Sequence, residues 1–285
     1  MLLNESYGNF SFSCQCLIKK APPGYKQIVE SYWEKYKPYA PPNFQREFLT
    51  NEAKFDPLLW EMTLGVKLLD HGYKLISSPD DERPDLCIEN GKIKVWIECY
   101  LPTRGKVNLP DSIPEFKWDG TAQSIDHDRN VLRVTQGLGH KKEQYNKWIK
   151  KGICSESEPF ILAINGKNLD WRISDKTLPE ILRALYGMGD LQVTFNSIDH
   201  NYHKVEFLKK LEVQKQSGNT VPTTIFLDAN YHFISGILYS HDWIYRLSAG
   251  PTYCYVENVK SRISSSINFS GFAETYNYSE EEISL

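Results

Sequence analysis

Apolar residues recur along this chain with two periods, and the places where the period changes mark its elements. Leu86 to Ile88 and Ile93 to Leu101 read as two strands, and Asn90-Gly91 between them is a strong short hairpin signal. Between Asp56-Pro57 and Gly72 the pattern is helical, with Pro57 suited to a first turn and Gly72 to a C-terminal stop. A second helix is expected from Val131 to Lys151, where Val134, Leu138, Lys141, Tyr145 and Trp148 recur at four-three-four-three spacing. Pro159 to Gly166 is an apolar run with a turn at its end, as a buried central strand reads. Strand, crossover helix and strand make a βαβ unit, so the sheet should be mixed, antiparallel at the hairpin and parallel here.

The flanks are less periodic. Residues 1 to 55 are polar and aromatic, broken by Pro22-Pro23, Pro38 and Pro41-Pro42, with a short helix expected from Gln27 to Tyr36. A long connection from Pro102 to Asp128 is placed to wall a cleft. Helices are expected near Lys176 to Tyr186 and Tyr202 to Gln216, and strands at Thr224 to Leu227 and Phe233 to Tyr239. Glu280 to Glu282 reads as a solvated tail. The expected fold is α/β, a mixed central sheet flanked by helices in one domain. Within it 1–55 is an N-terminal arm, 56–170 the core and 171–285 a C-terminal extension of the same sheet.

Three acids fall at positions that this periodicity turns inward. With Asn90-Gly91 as the turn, Glu89 faces Lys92 and Asp85 faces Trp96. Side chains alternate faces, so Asp85 shares a face with Trp96, Glu98 and Tyr100 and lies diagonal to Glu98, at roughly 7–8 Å. Glu61 stands on the helical stripe of Leu58, Leu64, Gly65 and Leu68. Inward carboxylates are costly unless they are paired or hold a cation. Two of them at that distance can share Mg²⁺ or Mn²⁺, hard ions that prefer oxygen. A glutamate snorkelling at the edge of its stripe is the plainer account of Glu61 taken alone.

Helical Glu61, then Pro84-Asp85, then an apolar strand carrying Glu98 resembles the PD-(D/E)XK nuclease superfamily, over roughly residues 55 to 165. The resemblance implies a restriction-endonuclease-like core in which Asp85 and Glu98 bind Mg²⁺, the Cys99 carbonyl adds a ligand and Glu61 assists. The chain departs from the family at one point. Where the strand lysine should stand, two residues after Glu98, it has Tyr100. Some members of the superfamily move that lysine to a neighbouring helix. Lys141, in the middle of an otherwise apolar stripe, is the candidate here, with Gln144 three residues on. A lysine whose stem packs while its head reaches water explains Lys141 equally well.

From Arg129 to Lys151 there are seven basic residues and one acid, Glu143, in a chain whose net charge is −3. Arg129, Arg133, Lys142 and Lys147 are therefore candidates for contacting nucleic-acid phosphates; a solvated helix face is the alternative. The six cysteines make no zinc pattern and suit a thiol-keeping compartment. With no signal peptide or membrane span in the sequence, a soluble cytoplasmic protein is expected. His200 and His203 read as a surface pair, and Asp126-His127-Asp128 as a helix start capped by Asp128. The expected function is Mg²⁺- or Mn²⁺-dependent cleavage of phosphodiester bonds, in DNA first. The rival is an inactive nuclease fold serving as a nucleic-acid-binding or protein-interaction module, and a phosphorylated small substrate is a third option. The sequence leaves the oligomeric state open, a homodimer included.

Overall fold

The computed structural model describes residues 1–3, 9–22, 24–77, 82–115, 119–121, 124–169, 179–195, 202–241, 252–265 and 267–276, with side chains at 202–205 left aside. Three helices open the chain, α1 (Phe12–Lys19), α2 (Tyr25–Tyr36) and α3 (Phe44–Thr50). Only α2 shows in the sequence, because α1 and α3, with 8 and 7 residues, give the helical period barely two turns to register. Helix α4 (Glu52–Asp70) starts five residues before the expected Pro57. Asn51 caps it, its side chain accepting from the Ala53 N–H at 3.1 Å, and Pro57 sits inside. Pro57 lies in the second turn, where the helix forgoes the bond that an N–H there would make to the Ala53 carbonyl.

Next come β1 (Lys74–Leu75), β2 (Leu86–Asn90), β3 (Ile93–Tyr100), α5 (His127–Lys150) and β4 (Phe160–Asn165). The chain continues through α6 (Ile181–Tyr186), β5 (Met188–Phe195), β6 (Tyr202–Lys209), β7 (Glu212–Gln214), β8 (Thr220–Pro222), β9 (Gly236–Ser240), β10 (Cys254–Glu257) and β11 (Glu274–Tyr276). Seven strands form one mixed sheet in the order β1-β2-β3-β4-β9-β10-β11. Pairing is antiparallel from β1 to β3, parallel across β3, β4 and β9, antiparallel to β10 and parallel to β11. The crossover through α5 is therefore the expected βαβ unit.

Alternation along the strands divides the apolar residues into two cores. Val95, Ile97, Ile161 and Ala163 face the layer of α1 to α4, while Trp96, Phe160, Leu162 and Ile164 face α5 and α6. Every residue of β4 is buried, as its unbroken apolar run requires. No helix among the described residues is long and apolar enough to cross a membrane.

Several expectations are corrected. Tyr202 to Gln216 is not a helix; it holds β6 and β7. Val205 and Phe207 alternate with Lys204 and Glu206 there, a period of two, and pair across the ribbon with Val193 and Leu191. Thr224 to Leu227 is not a strand but ends in a short 3-10 turn, Ile225–Leu227. The strand expected from Phe233 begins at Gly236. Of the helix expected from Lys176, Ile181–Tyr186 is described; its first residues, His200 and the Glu280 to Glu282 tail lie outside the described residues.

Candidate functional site

The hairpin turn is displaced from its expected place. Asn90 pairs with Ile93, so the turn is Gly91-Lys92, with Gly91 at φ 63°. Glycine at the first central position suits a tight hairpin turn better than Asn90 would. The ladder then runs through Cys87 opposite Trp96 and Leu86 opposite Ile97, and its next step sets Asp85 against Glu98, not Trp96. A slip of two keeps every side chain on its face, so the expected face survives and the two acids come closer. The Asp85 N–H donates to Glu98 Oε2 at 3.3 Å.

At that step β2 has ended while β3 runs on, which leaves an edge. The Cys99 N–H, without a ladder partner there, donates to Asp85 Oδ2 at 2.8 Å. In a strand the N–H and C=O of one residue project to the same side, so the Cys99 carbonyl is aimed into the same gap. Glu61, at 4% exposure, comes from α4 on the other core and accepts from the Tyr36 hydroxyl at 2.5 Å.

From the α5 side, Lys141 Nζ donates to Glu98 Oε1 and to Gln144 Oε1, the latter at 3.1 Å. The Lys141 and Glu98 side chains are 17% and 3% exposed. Lys141 thus points into the sheet along with Val134, Leu138, Tyr145 and Trp148, all buried. Tyr100 explains why. Its ring lies against Gly137, and its hydroxyl donates to the Arg133 carbonyl at 3.2 Å. Helix α5 runs back along β3. Four helical residues advance about 6 Å and two strand residues about 6.6 Å. Docking Gly137 on Tyr100 therefore brings Lys141 over Glu98.

Burial and mutual repulsion set the acidities. Burial, then the Asp85 charge, push Glu98 up to about 8 against the pull of Lys141. Burial raises Asp85, against the Lys141 charge and the Cys99 N–H bond, which pull it down. Burial and the charges of Asp85 and Glu98 hold Glu61 well above the usual range, with the Tyr36 hydrogen bond opposing. For Lys141, burial pulls down, but the Glu98 and Asp85 charges raise it further. Lys54, seven residues before Glu61 on the same stripe, favours the ionised forms of both Glu61 and Asp85. Tyr36, 25 residues from Glu61, is the participant missed from the sequence, and no local spacing reveals it.

An all-oxygen set of Asp85, Glu98 and the Cys99 carbonyl, with Glu61 behind it, suits Mg²⁺ or Mn²⁺. Among the described residues no three His, Cys, Asp or Glu side chains gather around a single point, because Glu98 turns to Lys141 and Glu61 to Tyr36. A cluster in which neighbouring acids raise one another's pKa is still one whose charge a divalent cation would relieve.

The basic candidates do not form one patch. Arg129 pairs with Asp126 at 3.0 Å, Arg133 donates to Gln136 at 2.7 Å, and Lys142 donates to Asn230 at 2.7 Å beside the Tyr231 ring, while Lys147 is exposed. Asp126-His127-Asp128 disperses too. Asp126, not Asp128, caps α5 by accepting from the Arg129 N–H at 3.1 Å; His127 bonds Glu180 and Asp128 pairs with Lys210. A cavity of about 440 Å³ lies there, at the start of α5 and away from the carboxylates. Comparisons with protein-family models, with curated proteins and with solved structures find no match to this chain.

Proposed function

We propose that this protein is a metal-dependent nuclease of the PD-(D/E)XK kind, with a restriction-endonuclease-like core, and that it hydrolyses phosphodiester bonds, in DNA first. The observation that carries this reading is the bond from Lys141 to Glu98, with Asp85 opposite Glu98 across the ladder. In this reading the half-buried ammonium supplies the charge that the missing strand lysine would have supplied.

Asp85, Glu98 and the Cys99 carbonyl would hold Mg²⁺ or Mn²⁺, with Glu61 as support. The chemistry such an ion supplies when bound is charge on the phosphate and a lowered pKa for the attacking water. Lys141 contributes a cation that stays protonated at neutral pH, placed to orient that water or to meet charge on a phosphoryl oxygen. Gln144 accepts from Lys141 and fixes the direction of its head group. Tyr36 holds the Glu61 carboxyl in one orientation. Tyr100 packs on Gly137 and bonds the Arg133 carbonyl, a place compatible with a lysine supplied from α5.

The test is cleavage of plasmid, linear duplex and single-stranded DNA, with RNA alongside, in Mg²⁺ and then Mn²⁺. Metal-dependent cleavage by wild type that is lost in both Glu98→Ala and Lys141→Ala is the expected result. Wild-type cleavage rates in a folded Glu98→Ala protein would overturn the assignment.

A further inference from the structure

Among the described residues, two arginines near the start of α5 have no counter-charge. Arg104, in the connection after β3, donates Nη2 to the Pro114 carbonyl at 2.6 Å, and its Nε–H is buried with no partner. Arg133, on α5, donates Nη2 to Gln136, and its Nε–H is likewise buried and unmatched. Among the described residues neither guanidinium has a carboxylate within ion-pair distance, whereas their neighbour Arg129 has Asp126.

Both arginines are held against the same stretch of chain. Gly105 is at φ 89°, and a Cβ on it would lie 2.8 Å from Arg133 Nη1 and 3.2 Å from Ser112 Cβ. Arg129 Nη1 donates to the Ser112 carbonyl at 3.0 Å, so the loop is already tied to α5 by a paired arginine. Arg104 and Arg133 thus add two unneutralised, half-buried charges where holding the loop needs only one. Half-burying a cation without a partner is unfavourable. An anionic phosphate lowers that cost, and its oxygens fit the planar fork of guanidinium donors.

We infer that Arg104 and Arg133 form a clamp for a backbone phosphate of a nucleic acid. The choice of a polymer over a free phosphate rests on the nuclease reading above. Arg133 precedes Lys141 by eight residues, about 12 Å along α5, a span of a few nucleotides along one strand. Tyr100 connects the two places, since its hydroxyl bonds the Arg133 carbonyl while its strand carries Glu98. The clamp therefore engages a phosphate a few nucleotides from the scissile one and sets which phosphate reaches the carboxylates.

The experiment measures binding of a labelled 20-base-pair DNA duplex, and of an RNA duplex of the same sequence, in EDTA, as a function of salt. Wild type is compared with Arg104→Gln, Arg133→Gln, the double variant, and Arg104→Lys with Arg133→Lys, all checked for folding by thermal melting. Each Gln change should weaken binding roughly three- to tenfold, and the double variant should flatten the log affinity–log salt slope by about one. The Lys variants should keep the wild-type slope while binding more weakly, which a mere loop strut would not produce. If Arg104→Gln does not fold, Arg133→Gln and the Lys variants carry the comparison. An unchanged slope in folded Gln variants, or no binding of either duplex by wild type, would overturn the clamp. A flattened slope without any metal-dependent cleavage keeps the clamp and removes the nuclease. Cleavage that needs Glu98 and Lys141 with an unchanged slope does the reverse.

Discussion

Gly137 and Tyr100 pack so closely that a Cβ on residue 137 would lie 1.9 Å from Tyr100 Cζ. That contact sets how near α5 comes to β3 and which turn of the helix faces Glu98. Tyr100 on the strand and Lys141 on the helix are thus two parts of one arrangement.

Gly137→Ala must push the helix off the strand or the ring out of its place. Overpacking of this kind costs about 1–3 kcal/mol, and more where the backbone has to move. Thermal melting should show that loss, and cleavage should fall further than stability does because Lys141 moves with the helix. A variant with wild-type melting and wild-type cleavage would show that Tyr100 does not set the register. Tyr100→Phe, which deletes only the bond to the Arg133 carbonyl, should cost about 1 kcal/mol and leave cleavage nearly intact.

Acidity in the cluster gives stability a definite pH dependence. Glu98 is raised to about 8 by burial and the Asp85 charge, and Asp85 and Glu61 shift the same way. The folded state therefore holds protons that the unfolded chain releases near pH 4.5, so these groups stabilise fully below that pH and progressively less as it rises towards 8. In EDTA the melting temperature should fall across this window, and Glu98→Gln, which cannot ionise, should show a shallower fall. Identical profiles for the two proteins would refute the raised acidity.

Mg²⁺ should offset that same fall. An ion that binds the folded protein alone stabilises it by mass action, and it competes with protons, so the gain in melting temperature should be larger at pH 8 than at pH 6. Asp85→Asn and Glu98→Gln should each abolish most of it. Equal gains in wild type and both variants would locate the effect elsewhere.

Removing the hydroxyl that Tyr36 offers to Glu61 leaves a buried carboxyl without its donor. Tyr36→Phe should cost about 1–3 kcal/mol by chemical denaturation, a large effect for the loss of one oxygen atom. A neutral result would mean that Glu61 finds another donor.

The start of α5 distinguishes two neighbouring aspartates. Asp126→Ala removes the cap on the Arg129 N–H and should cost about 1 kcal/mol. Asp128→Ala removes a solvent-facing pair with Lys210 and should cost less in the same denaturation experiment. Equal losses would mean that both residues cap the helix.

Local periodicity determined a good deal about this protein. The apolar run at Phe160 to Ile164, the stripe through Val134 and Trp148 and the hairpin around Gly91 are each consequences of backbone repeat and of which residues avoid water, so they can be read from neighbours in the chain. The same logic placed Asp85 and Glu98 on one face and Lys141 on the inward side of α5, because a period of two or of 3.6 fixes direction without any knowledge of the partner. Tertiary structure decided what no local pattern contains. It chose Gly91-Lys92 over Asn90-Gly91 as the turn, made 202–209 a strand by giving Val205 and Phe207 partners on β5, and brought Tyr36 to Glu61 across 25 residues. Above all it set Gly137 against Tyr100, which puts Lys141 over Glu98. Direction follows from the period of one element, whereas contact depends on the distance between two, and that distance is set by side-chain volumes that meet only when the chain has folded.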